Sequence, residues 1–361
     1  MTRTVRSVHP GMLRRASRFA CASLVLPALA GCYLVQAVQG QLELNARRRP
    51  IATVVADPSQ PAHLKEQLAL VMQLRDYASR SLGLPDNASY RSYADIGRRA
   101  VVWNVFAAPE FSTEPVTWCF PVAGCVAYRG YFREARARDY ALTLRARGYD
   151  VLVGGVPAYS TLGHFDDPVL NTMMGWNEAE LAGLLFHELA HQVAYARDDS
   201  SFNEAFATTV EREGVRRWFA ARHDDAALAA LDDAARQRAF VAQLLTDARM
   251  RLKTLYAGRT GDAALRAQKR AAFDRLREEY AVARAAGRAD AGYDWLFGPQ
   301  LGNASLLAVA TYEDCVPALD QLLADAGGDL PAFYARAKVL ARQPREERHR
   351  ALESLATGTC R

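Results

Sequence analysis

"LLFHELAHQVAYARDDSSFNEAFATTVE", Leu184–Glu211, sets two histidines and several acids inside a run of otherwise apolar, helix-like spacing. Leu184, Leu185, Leu189 and Val193 recur at helical intervals, and "ARDDSS" reads as a tight turn before a second helix. His187, Glu188 and His191 spell H-E-x-x-H. Residues four apart share one helix face, so both imidazoles reach the same ion. Zinc favours neutral nitrogen ligands, and a catalytic zinc takes three protein ligands and keeps a fourth position for water. Glu188, beside the first ligand, is placed for the water rather than the metal. The plainer alternative is a pair of ordinary histidines. With only 7 histidines in the chain, two meeting in this motif by chance is rare, and burying an unpartnered imidazole pair among leucines is costly. The metal reading is therefore preferred. A third ligand is required, and Glu204, thirteen residues beyond His191 in Asn203-Glu204-Ala205-Phe206-Ala207, is a candidate. Glu211, two turns further, is its rival. Asp198 and Asp199 read as acids of the turn, the alternative being that one of them orients a histidine from behind.

The remaining composition frames this motif. The chain has 361 residues, 50% hydrophobic and 24% charged, with a formal net charge of +5. That surplus sits in the opening segment, where Arg3, Arg6, Arg14, Arg15 and Arg18 occur without any acid before Cys32. The rest is formally neutral, which speaks against a nucleic-acid partner. The basic start is followed by the short apolar run "FACASLVLPALAGC", Phe19–Cys32, which reads as a secretory signal. It ends in Leu29-Ala30-Gly31-Cys32, which resembles the lipobox of bacterial lipoproteins and implies a lipid on Cys32. Tyr33, in place of an aspartate, favours the outer membrane. Export into an oxidising compartment makes disulfides the expected state of Cys119, Cys125, Cys315 and Cys360. The local pairs Cys119–Cys125 and Cys315–Cys360 are favoured among three connectivities.

Four segments are expected: a lipoprotein signal over 1–31, a membrane-proximal tether over 32–58, an α/β part over 59–176, and the zinc-binding and C-terminal helices over 177–361. Leu64 to Leu82 reads as a helix stopped by Gly83-Leu84-Pro85. Ala100–Ala107 and Tyr149–Val156 read as strands, and 134–147 as a helix closed by Gly148. Asn177, with Glu180 three residues on, is a capping-box start for the metal helix. The segment "GGVPAYSTLG", Gly154–Gly163, leaves a strand just ahead of that helix. Its Gly155 and Tyr159 are candidates for holding a peptide backbone.

"FHELAHQ" and the N-E-x-F-A pattern resemble the two zinc helices of gluzincin metallopeptidases. With "CFPVAGCVAYRGYF", "VGGVPAYSTLGHFDDPVLNTMM" and "FNEAFATTVEREG", the chain from about Cys32 onward is similar to a family of bacterial zinc aminopeptidases, often lipoproteins. The resemblance implies an α+β, zincin-like fold, a small mixed sheet followed by a mostly helical C-terminal region. It implies Zn2+ held by His187, His191 and Glu204, with Glu188 as general base on water and later proton donor to the leaving amine. Peptide is then the expected substrate, in a lipid-anchored protein facing the periplasm. An oxyanion donor is also required. Tyr312, Tyr128, Tyr159 and His164 are candidates, with Tyr312 put forward. Glu178, Glu180, Asp166 and Asp167 are acids available to a substrate's free amino group. Two other classes stay open: an envelope protein with a structural zinc site, and a zinc amidase acting on a non-peptide or cell-wall amide.

Overall fold

The computed structural model describes residues 36, 38–120, 124–158, 161, 163–258, 261–307, 315–356 and 360. Two compact units divide the chain, one up to Ala46 and one from Arg47 onward. In the first, residues 38–46 are helical. Cys32 and the segment read as a leader lie outside the described residues, as do Tyr159 and Tyr312. Among the described residues no helix is long and apolar enough to cross a membrane.

The second unit is α+β. It opens with β1 (Arg49–Pro50) and α1 (Ile51–Ala56), whose Ile51 and Val54 are buried, so the folded body already includes the end of the stretch read as a tether. Helix α2 (Ala62–Arg80) buries Leu64, Leu68, Val71, Leu74 and Ala78, the stripe its spacing predicts. Strand β2 (Ser92–Ala94) runs antiparallel to β1 and parallel to β8 (Val169–Leu170). A second sheet has the order β6-β3-β7, with β3 (Val102–Pro109) antiparallel to both β6 (Tyr128–Tyr131) and β7 (Tyr149–Val156). Helix α3 (Glu134–Arg145) packs on this sheet, and Gly148, at φ +82°, turns the chain from α3 into β7 in a conformation that side chains resist. Between β3 and β6 lies a hairpin, β4 (Trp118–Phe120) with β5 (Gly124–Val126), in which Cys119 stands directly opposite Cys125. These two cysteines form one disulfide, and Cys315 with Cys360 forms the other.

From Asn177 onward the described chain is helical. Helix α4 (Glu178–Ala190) carries the first half of the motif and α5 (Ser200–Ala220) the second. The Asn177 side chain accepts from the Glu180 amide, and Glu180 accepts from the Asn177 amide, which satisfies two of the orphan donors at the start of α4. Helix α5 packs against α4, against α6 (Asp225–Ala257) and against α8 (Val316–Ala324). It buries Phe202 and Phe206, and Phe206 stacks on Phe333 of α9 (Leu330–Arg342) at 5.5 Å between ring centres. Helices α6 and α7 (Asp262–Ala285) form a long antiparallel pair around Val241, Leu245, Leu252, Phe273, Leu276 and Tyr280. Helix α10 (Arg345–Leu355) closes the described C-terminal region, and its buried Arg348 reaches back to the start of α5.

Candidate metal centre

The pairing of α4 with α5 brings three donors together. His187 Nε2 lies 3.3 Å from Glu204 Oε2, and His191 Nε2 lies 3.8 Å from that same oxygen. One ligand atom from each of the three residues falls within 4.8 Å of the others, and no second such cluster occurs among the described residues. A tetrahedral zinc, with bonds of about 2.0–2.2 Å, needs donors about 3.3 Å apart. Two imidazole nitrogens and one carboxylate oxygen at these separations suit that ion with small side-chain adjustments.

Close helix packing makes this arrangement. Gly214 of α5 faces Phe186 of α4, where an added Cβ would sit 2.8 Å from the ring. The connection from His191 to α5 is clamped from inside by Asn203, whose Oδ1 accepts from the Ala196 amide at 2.7 Å and whose Nδ2 donates to the Ala196 carbonyl at 2.8 Å. The residue next to Glu204 thus fixes the turn that brings Glu204 under the histidines. At the other end, Gln192 accepts from Asn87 Nδ2 at 2.7 Å and donates to Ser89 Oγ at 3.3 Å. That 85–90 loop is itself held by buried Arg75, which donates to the Ser89 and Pro85 carbonyls.

Burial opposes a positive charge on His187, but hydrogen bonds to Glu204 and Glu211 outweigh it and hold the imidazole well above its usual pKa. Burial pushes His191 down to about 4, so this ring is a neutral nitrogen donor. Burial works to raise Glu204, but the hydrogen bond to His187 and the two imidazoles pull it below the ordinary carboxylate range. His191 Nδ1 is buried without a hydrogen-bond partner. Glu188 is 8% exposed, and burial pushes its carboxyl up to about 7 against the opposing charge of His187. It is a carboxylate poised to exchange a proton near neutral pH.

A family model described as "Putative aminopeptidase" matches residues 32–352. The chain belongs to that family. No curated protein and no solved structure matches it. The segment shared with the aminopeptidase family contains all three candidate ligands and Glu188.

The other residues singled out in the sequence take different places. Glu211 is not grouped with the ligands. It meets the opposite nitrogen of His187, Nδ1, at 3.0 Å, and so fixes the ring's orientation and leaves Nε2 turned toward Glu204. Space for it comes from Gly183, one turn before His187, where a Cβ would stand 3.2 Å from Glu211 Oε1. A glycine four before the first histidine and a glutamate seven after Glu204 are the sequence signals that could have revealed this. The turn acids do not orient a metal histidine. Asp198 accepts from the Cys125 amide at 2.6 Å. Asp199 caps α5 through the Phe202 amide and pairs with Arg348 and His349.

Of the acids considered for amine capture, Glu178 is held by Trp218 Nε1 at 2.7 Å and by Arg222, and Glu180 serves the α4 cap. Asp166 is exposed beside Arg48. Asp167 is buried, accepts from the Thr161 amide and hydroxyl, and lies close enough to Glu188 to raise its pKa. Gly155 lies on β7, at the edge of its sheet, opposite Trp103, and a Cβ there would stand 3.1 Å from the indole. Tyr128 packs in the Phe106–Leu152 cluster, and His164 is exposed. Tyr195, one turn after His191, escaped the sequence reading. Burial raises its phenol, and the nearby charges of Glu204 and Asp198 add to this.

Proposed function

We propose that this member of the aminopeptidase family is a zinc-dependent peptidase of zincin-like architecture, which hydrolyses peptide bonds in the bacterial cell envelope and is anchored there by a lipid on Cys32. The observation that carries this reading is the meeting of His187, His191 and Glu204 at one point with Glu188 beside them. A structural zinc site has no need of a buried, proton-exchanging carboxylate next to its ligands.

His187, His191 and Glu204 would hold the ion, and Glu211 keeps His187 turned so that Nε2 faces it. Zinc, when bound, supplies Lewis acidity toward a carbonyl and acidifies water. Glu188 takes the proton from the attacking water and returns it to the departing amine nitrogen, so one carboxylate acts first as base and then as acid. Its buried setting suits both roles, because neither protonation state is strongly favoured near neutral pH. Leu185, Leu189 and Phe186 bury the back of α4 and keep the motif rigid.

The test combines metal analysis with digestion of a peptide library by wild type and Glu188→Gln. One zinc per chain in both proteins, cleavage that begins only at free amino termini, and a loss of about 10^2–10^4-fold in the variant are expected. Zinc without cleavage dependent on Glu188 would instead favour a structural site. For the anchor, Cys32→Ser should move the protein from the membrane to the soluble fraction of cells expressing it.

A further inference from the structure

We propose that the hairpin β4–β5 is a wall of the substrate cleft, latched by Asp198 to the turn that joins the two metal-ligating helices and locked in register by the Cys119–Cys125 disulfide. The proposal rests on the peptidase reading above and extends it to how substrate is held.

Asp198 stands between His191 and Glu204 in sequence, in the short connection from α4 to α5. Its carboxylate accepts the Cys125 amide at 2.6 Å. The fit at this contact is unusually close. Gly124 takes a left-handed backbone at φ +76°, and a Cβ there would lie 2.1 Å from Asp198 Oδ1 and 3.0 Å from the Asp198 amide nitrogen. Only glycine admits that approach. Asp198 is itself left-handed, at φ 65°, a conformation that Asp and Asn tolerate better than other side chains. The left-handed turn at Gly124 thus brings the next amide, that of Cys125, onto the carboxylate of a residue that is itself left-handed.

The hairpin is held on its other side as well. Trp118 Nε1 donates to Tyr140 Oη of α3 at 3.0 Å. Cys119 and Cys125 are directly opposed, with a sequence separation of 6. A bond closing so short a loop removes little entropy from the unfolded chain compared with Cys315–Cys360, which spans 45 residues. Its effect is local, keeping the Cys125 amide aimed at Asp198. The latch lies in the connection between the two ligand-bearing helices, six residues before Glu204, and the charges of Asp198 and Glu204 both bear on Tyr195 of that connection.

Asp198 is therefore a positioning residue. Asn203 clamps the turn independently from within, so loss of the latch frees the hairpin while the ligands stay in place. The consequence falls on substrate affinity and spares the metal.

Three variants test this. Asp198→Gly removes the acceptor but accepts the left-handed backbone. Asp198→Asn keeps both an acceptor and that backbone tolerance. Cys119→Ser with Cys125→Ser unlocks the register. The readouts are hydrogen exchange at the Cys125 amide, zinc per chain, KM and kcat on a peptide that wild type cleaves, and calorimetric binding of tetraalanine in a zinc-loaded Glu188→Gln background. Asp198→Gly and the double serine variant should lose protection at Cys125 and weaken KM and tetraalanine binding by about tenfold, the loss expected for one hydrogen bond. Zinc content and kcat should hold, and Asp198→Asn should behave as wild type. Unchanged KM and tetraalanine affinity in Asp198→Gly, or an equal loss in Asp198→Asn, would overturn the proposal while leaving the peptidase intact. Failure of the parent proteins to bind zinc, or to cleave or bind any peptide, would instead bring down the peptidase reading, and the proposal with it.

Discussion

Glu211 grips His187 from behind, its Oε2 standing 3.0 Å from Nδ1 while Glu204 faces Nε2 at 3.3 Å. A carboxylate on the far nitrogen fixes the tautomer, aims the ring and makes the ligating nitrogen more basic. Glu211→Gln should weaken zinc binding by about 10–100-fold, as removal of such partners does elsewhere. Competition against a zinc chelator measures it. Wild-type affinity in the variant would show that the contact does not serve the metal.

Gly183 is the space that Glu211 occupies. An added methyl would press on Oε1 at 3.2 Å and on Cγ at 3.3 Å. Alanine also favours the interior of a helix over glycine by about 0.5–1 kcal/mol. Gly183→Ala should therefore keep or slightly raise the urea midpoint while weakening zinc binding, by less than Glu211→Gln does. A variant that loses stability and keeps full zinc affinity would contradict this.

Arg348 and Asp199 form a buried pair at 2.7 Å, with 2% and 0% side-chain exposure, and His349 joins it at 2.8 Å. Burial works to raise the Asp199 carboxyl, but its hydrogen bonds and ion pairs with His349 and Arg348 outweigh it and hold the pKa below the ordinary range. Removing one partner of such a pair leaves a charge stranded in the interior, at a cost of about 3–5 kcal/mol. Arg348→Met should lose that much in urea unfolding. Asp199→Asn, which preserves the α5 cap, should restore part of it when combined with Arg348→Met. Costs that simply add, within about 0.5 kcal/mol, would show the pair to be uncoupled.

Asp167 gives stability a pH dependence opposite to that of most carboxylates. Burial pushes its carboxyl up from 3.8 to about 6, with the Thr161 hydrogen bonds opposing. Between those values the folded chain keeps a proton that the unfolded chain has released. Its contribution is complete below the unfolded value, falls as pH rises toward about 6, and is flat beyond. Asp167→Asn keeps an acceptor for Thr161 and buries no charge. Above pH 7 it should be more stable than wild type by up to about 3 kcal/mol, and the slope between about pH 4 and 6 should shrink. Urea midpoints across that range measure both, and identical slopes in the two proteins would refute the assignment.

Local periodicity made much of this molecule readable in advance. The strand Tyr149–Val156 has the bounds its β-branched run suggests. The capping box at Asn177 and Glu180 and the buried stripe of Ala62–Arg80 depend only on neighbours a few residues away. His187 and His191 share a face because the α-helix repeats every 3.6 residues, and that is a property of the chain itself.

Other features depend on contacts that no spacing encodes. Adjacent residues Asp198 and Asp199 serve partners 73 and 149 positions away, Cys125 and Arg348. Nothing local distinguishes which neighbour takes which. Glu178, free in sequence to meet a substrate amine, is taken by Trp218 and Arg222 at the far end of α5. The sequence by itself determined that His187 and His191 share one face, because helix geometry converts a four-residue interval into convergence. Tertiary packing alone decided which nitrogen of His187 meets which glutamate, because that choice is made where the glycines at 183 and 214 let two helices come close.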